Sequence, residues 1–86
     1  VDIDWEYPGM IGAGNRFRPE DKRNYTLLVK ELRERFNREQ SRLGRTLLLS
    51  VAAGASTEFI AHTEMGRVQR YLDTVNLMTY DLYGAW

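Results

Sequence analysis

Apolar and polar residues alternate from the first position. Val1, Ile3 and Trp5 fall on one face of an extended segment, and Asp2, Asp4 and Glu6 on the other. Pro8 and Gly9 predict its end. Residues 9–18 contain three glycines and no apolar period, and read as a loop. The period then becomes helical: Tyr25, Leu28, Val29, Leu32 and Phe36 form a single apolar stripe. Pro19 suits the first turn of this helix, Glu20 and Asp21 its positive end, and Gly44 its C-terminal cap. Glu31–Arg35 and Glu34–Arg38, spaced by four with the acid first, predict ion pairs on a solvated face. The apolar run Leu47-Leu48-Leu49-Ser50-Val51-Ala52-Ala53 predicts a strand covered on both faces. After a loop at Gly54-Ala55-Ser56, with Ser56 or Thr57 as N-cap, a shorter helix is predicted on Phe59, Ile60, Val68, Tyr71 and Leu72. Gly66 weakens its middle and Asp73 closes it. Residues 74–80 return to strand character.

The order strand, helix, strand, helix, strand predicts an α/β fold with parallel strands and right-handed crossovers. A doubly wound sheet and a (β/α)₈ barrel both contain such a segment. Gly9, Gly12 and Gly14 lack the spacing of a dinucleotide fingerprint, and no phosphate-binding Walker loop is present. At 86 residues with 43% hydrophobic side chains, the chain has the size of one small domain. Both ends run through predicted strands or the loops beside them, so the chain is expected to be a fragment of a larger fold. Twelve basic and twelve acidic residues balance, which argues against a nucleic-acid module. Without cysteine, neither a disulfide framework nor a cysteine-ligated zinc site can form. No apolar run approaches the roughly 18–20 residues of a membrane span. His62, the one histidine, falls in a polar helical stretch and reads as a surface residue.

Asp2, Asp4 and Glu6 carry the most chemistry. A spacing of two sets neighbouring carboxylates roughly 6–7 Å apart along one strand face. In a parallel sheet both faces are normally covered, so three like charges there would be costly, and one acid is expected to hold its proton near neutral pH. A protonated acid beside an ionised one is what glycosidic cleavage requires. On spacing alone, an oxygen cage for a hard divalent cation competes nearly equally with that reading.

Asp2-Ile3-Asp4-Trp5-Glu6-Tyr7-Pro8 resembles the signature strand of family 18 glycoside hydrolases, the chitinases, which reads Asp-Gly-x-Asp-x-Asp-x-Glu; the leading Asp-Gly is absent here. Asn76-Leu77-Met78-Thr79-Tyr80-Asp81-Leu82-Tyr83-Gly84-Ala85-Trp86 resembles the sixth-strand motif of the same family. The resemblance, to bacterial-type enzymes, runs the length of the chain. It implies that residues 1–86 are part of a single catalytic domain, a partial (β/α)₈ TIM barrel from the fourth to the sixth strand. It further implies that Glu6 is the general acid and base, that Asp4 turns between Asp2 and Glu6 while holding the substrate's acetamido group, and that Asp2 is the buried partner tuning the exchange. Tyr7, Met78, Tyr80, Asp81 and Trp86 are then expected to line the sugar site. In the family the nucleophile is the substrate's own N-acetyl carbonyl oxygen.

The implied activity is hydrolysis of β-1,4 N-acetylglucosamine linkages in chitin or its oligomers. An endo-β-N-acetylglucosaminidase and a non-catalytic chitin-binding lectin on the same fold are the alternatives, and the lectin is disfavoured by the presence of Glu6. No cofactor, metal, nucleic acid, membrane or obligate protein partner is implied, and family analogy points to an extracellular parent protein. Three strands cannot close a barrel, so the isolated chain is expected to be inactive and not stably folded as a monomer.

Overall fold

The computed structural model describes residues 1–10, 12, 14 and 16–78. Their elements are β1 (Asp2–Ile3), α1 (Asp21–Leu43), β2 (Ser50–Gly54), α2 (Thr57–Ala61), α3 (Met65–Val68), a 3-10 turn (Gln69–Tyr71) and β3 (Thr74–Met78). The strands form one parallel sheet in the order β1-β2-β3. Ile3 lies beside Val51 and Val51 beside Val75, so the odd-numbered residues of all three strands share a face.

That face carries the core. Leu49 and Val51 are fully buried against Tyr25 and Val29 of α1 and Val68 of α3, with Ile3, Trp5, Leu32 and Phe36 packed around them. Both helical crossovers therefore cover the same side of the sheet. A barrel places all its helices outside, and one βαβαβ half of a doubly wound sheet also carries its helices on one face, so this arrangement fits both.

Helix α1 begins just after Pro19 and ends where Gly44 turns left-handed, with φ +69°. Tyr25 and Val29 are buried as the stripe predicts, but Leu28 is 41% exposed. The buried seam is narrower than the stripe, because one sheet face and one short helix pack against a 23-residue helix. On the solvated face the ion pairs form one turn later than expected: Arg35 and Arg42 both turn to Glu39, at 3.4 and 2.6 Å.

Strand β2 begins at Ser50, three residues after the apolar run starts, and Leu48 is 63% exposed. The segment before it is held by side chains. Leu47 N–H donates to Gln40 Oε1 at 2.9 Å, and Leu49 N–H donates to Asp73 Oδ2 at 2.7 Å. Arg33 closes that corner by donating to the Tyr71 carbonyl at 2.7 Å and to Asp73 Oδ2 at 2.6 Å. The second helical stretch is broken at His62–Glu64, upstream of Gly66. Ser56 caps α2 by accepting from Phe59 N–H, and the buried Thr63 hydroxyl donates back to the Phe59 carbonyl at 2.9 Å, drawing the chain out of the helix. No helix among the described residues is long and apolar enough to cross a membrane.

Hydrogen bonding from Leu49 N–H, followed by the Arg33 guanidinium, holds the Asp73 carboxyl below the usual carboxylate range. A depressed folded value means that its contribution is complete above the unfolded value of about 3.9 and is lost as pH falls through the folded one. In the protein that carries this chain, urea midpoints should therefore fall on acidification below about pH 4. Asp73→Asn should lower the midpoint near neutrality and flatten the acid part of the curve; an unaltered acid slope would show that Asp73 does not contribute. For the isolated 86-mer, open strand edges and the exposed Leu48, Ile60 and Leu77 predict self-association or non-cooperative unfolding in sedimentation and thermal melts. A monomer with one cooperative transition would contradict this.

Candidate active site

The register that builds the core also assigns the opposite face. Asp2, Ser50 and Thr74 stand side by side, followed by Ala52 beside Asn76 and Gly54 beside Met78. The alternation continues past the end of β1, where Asp4 and Glu6 are exposed and Trp5 and Tyr7 are half-buried. Trp5 meets Tyr25 of α1 edge-on with ring centroids 5.8 Å apart, as expected for a residue pointing away from the acids. By this alternation Asp2, Asp4 and Glu6 fall on the side of the sheet that no helix among the described residues covers.

The carboxylates differ from the expectation in one respect. They are exposed because the sheet is three strands wide and open on that side. Within these residues no covered face raises the cost of three like charges. Nor are the three acids drawn together: among the described residues no group of three His, Asp or Glu side chains converges as a metal site would require.

Ser50 is the contact that sequence reasoning missed. Its hydroxyl donates to Asp2 Oδ1 at 2.7 Å, directly across the β1–β2 ladder. The signal was one hydroxyl residue inside an otherwise apolar run. Tyr25 also senses Asp2: burial pushes its phenol up to about 12, and the nearby carboxylate adds to the rise. Tyr25 therefore stays neutral at any ordinary pH.

The turn after Glu6 is organised from below. The Glu6–Tyr7 peptide bond is cis, Pro8 is buried, and Gly9 adopts φ +66°. Asp21, only 3% exposed at the start of α1, accepts from Gly9 N–H at 3.2 Å and Arg18 N–H at 2.9 Å. It ties both ends of the β1–α1 loop to one carboxylate, a role beyond the helix-end preference read from sequence. The Tyr7 ring packs edge-on against Phe59 at 6.1 Å, and Phe59 lies over Gly54 at the C-terminal end of β2. Met78, half-buried, ends β3 beside Gly54. Asp2, Asp4, Glu6 and Met78 are therefore assigned to one face. Tyr7 sits at its upper rim, held through Phe59. Tyr80, Asp81 and Trp86 lie outside the described residues, as does everything from residue 79 onward.

The family model for glycosyl hydrolases family 18 matches residues 1–86, the whole chain. The chain belongs to this family. Chitinase A1 of Niallia circulans is 47% identical over 87 residues, covering 100% of this chain and 12% of that protein. The solved structure of a family 18 N-acetylglucosaminidase from Paenibacillus barengoltzii superposes with a TM-score of 0.92 at 52% identity, over 95% of this chain and 24% of its own. Chitinase ChiW of a Paenibacillus strain, described as a cell-surface-expressed multi-modular enzyme, superposes with a TM-score of 0.89 at 45% identity, over 99% and 8%. This family 18 chain thus spans a quarter or less of each of these relatives. Its three parallel strands and one-sided helices are a portion of their (β/α)₈ barrel, as the fold expectation held.

Gly54 offers a test of how the rim is held. A methyl group there would stand 3.0 Å from a ring carbon of the buried Phe59, whereas one on Gly66 would meet nothing within 4 Å. Gly54→Ala should cost the protein about 1–3 kcal/mol, and Gly66→Ala, in a helix, should be neutral or stabilising by up to about 1 kcal/mol. Urea midpoints compare the two. Equal midpoints would show that Phe59 is not fixed against Gly54.

Proposed function

We propose that residues 1–86 are the fourth-to-sixth-strand portion of one family 18 catalytic barrel, and that the parent protein hydrolyses β-1,4 N-acetylglucosamine linkages in chitin. The observation that supports this reading is the alternation of the exposed Asp2, Asp4 and Glu6 with the half-buried Ile3, Trp5 and Tyr7, which runs from β1, whose Asp2 lies on the sheet face opposite the helices, toward the C-terminal end of the sheet. Barrel enzymes keep their sites at that end.

By resemblance to the family, the nucleophile in this reading is the acetamido carbonyl oxygen of the sugar being cleaved, which accords with acids clustered on one strand rather than flanking the ring. It attacks the anomeric carbon as the glycosidic bond breaks, and Glu6 gives its proton to the departing oxygen. The result is a cyclic oxazolinium and a Glu6 carboxylate. Water then attacks the same carbon, Glu6 takes its proton, and the ring opens to product with configuration retained. Asp4 holds the acetamido N–H and exchanges a proton with Asp2, whose position is set by Ser50. Met78 lies beneath the sugar and Tyr7 beside it. Tyr80, Asp81 and Trp86 are assigned to acetamido binding and ring stacking by family resemblance alone. No cofactor enters any step.

The likeness to a protein described as an N-acetylglucosaminidase supports a second reading, in which the same chemistry acts on shorter or glycan-linked N-acetylglucosamine substrates. The likeness to a cell-surface enzyme supports an extracellular parent protein. Glu6→Gln in the full protein should lower turnover of chitin oligomers about 10²–10⁴-fold or more while leaving oligomer binding within about threefold, the ordinary scatter of a single contact. Unchanged turnover would remove Glu6 from the mechanism. Comparison of chitin oligomers with N-glycan cores as substrates separates the two readings.

A further inference from the structure

The chain has no net charge, yet its cations are not evenly spread. Arg23 and Lys30 of α1, Arg67 of α3 and Arg70 of the 3-10 turn line one groove of about 470 Å³, together with Thr26, Leu27 and Tyr71. Among the described residues no carboxylate lines it. Glu64 lies beside it, reached by Arg23 at 3.8 Å and Arg67 at 3.7 Å, both long for ion pairs. The Thr26 hydroxyl and then the neighbouring cations hold Glu64 below the usual carboxylate range, so it remains a single negative charge near neutral pH. Among the described residues Lys30 and Arg70 have no acidic partner at all, although Glu34 lies one turn from Lys30 on the same helix. Four cations thus face one groove with one carboxylate to offset them.

The groove lies on the outer side of α1 and α3, away from the sheet. A sheet extends through its edge strands, β1 and β3, so further strands would leave this surface uncovered. It is also separate from the carboxylate face, which lies on the other side of the sheet. The volume is within the range of small-ligand sites, and room for roughly fifteen waters exceeds what one phosphate ion fills. Guanidinium groups present paired N–H donors that match phosphoryl oxygens. Leu27 is the one aliphatic side chain in the lining, which gives little purchase to an apolar peptide anchor.

We propose that this groove binds a small oligoanion carrying two or more closely spaced phosphoryl groups, at a site independent of the sugar-cleaving face. The test uses the full protein and calorimetric titration with tripolyphosphate, with a short glycerol-phosphate oligomer as the phosphodiester counterpart. Binding of either at low salt should weaken steeply as salt rises, and the Lys30→Gln/Arg70→Gln double variant should lose it tenfold or more. That variant should keep its melting temperature and its hydrolysis of chitin oligomers. Tripolyphosphate binding alone identifies a free oligoanion, and tighter binding of the glycerol-phosphate oligomer identifies a phosphodiester chain. No binding of either, equal binding by the double variant, or equal binding of an acidic hexapeptide would each overturn the proposal. Loss of hydrolysis in Glu6→Gln bears on the catalytic reading only, so the two fail separately.

Discussion

The parallel register of the three strands governs nearly everything else in the molecule. With Asp2, Ser50 and Thr74 abreast, and Ile3, Val51 and Val75 abreast in the next row, the period of two turns Ile3 and Val51 toward the helices and Asp2 to the other face, where Ala52 and Met78 also lie. A slip of one residue would bury Asp2 against Tyr25 and Val29 and expose Ile3. The core and the acids are thus specified together by one set of backbone hydrogen bonds. Ser50 reinforces the pairing by donating to Asp2 across the ladder.

Helix α1 holds both ends of that arrangement. At its start, the buried Asp21 gathers the loop that leaves Glu6. In its middle, Thr26 reaches Glu64 and Arg33 reaches Tyr71 and Asp73, which fixes the second crossover. Asp73 in turn receives Leu49 N–H just ahead of β2. These polar contacts locate the strands along their own direction, which a slippery apolar seam cannot do alone. The end of the sheet that carries the candidate site and the opposite end are therefore tied to a single helix.

Much of this was legible in the residues. The alternation from Val1 to Glu6 identified both the acids and the core side of Trp5, and Gly44 and Ser56 marked helix ends where the structure has them. The Asp-x-Asp-x-Glu spacing carried the family. What escaped was three-dimensional. Leu28 belongs to the helical stripe by spacing, but only contact with β2 and α3 decides which part of a stripe is buried. Leu47 and Leu48 look like strand residues, yet side chains from Gln40 and Asp73 intercept the backbone before the ladder begins. Thr63, three residues before Gly66, marks the break after α2 with a hydroxyl bond back to the Phe59 carbonyl, a competition that helix propensity alone does not rank. Ser50 passed as an interruption in an apolar run because its partner lies 48 residues away.

In the proposed function, a row of acids on one strand would place the proton-transfer groups on a single side of the sugar and leave the nucleophile to the substrate. That division of labour is the central proposal about the parent protein. Its most direct measurement is the hydrolysis, by the full protein, of a chitin oligomer from which the N-acetyl group has been removed only at the sugar whose bond is cleaved. The account predicts that cleavage at that unit is lost while acetylated oligomers are still hydrolysed. Cleavage at an undiminished rate beside a free amine would contradict it.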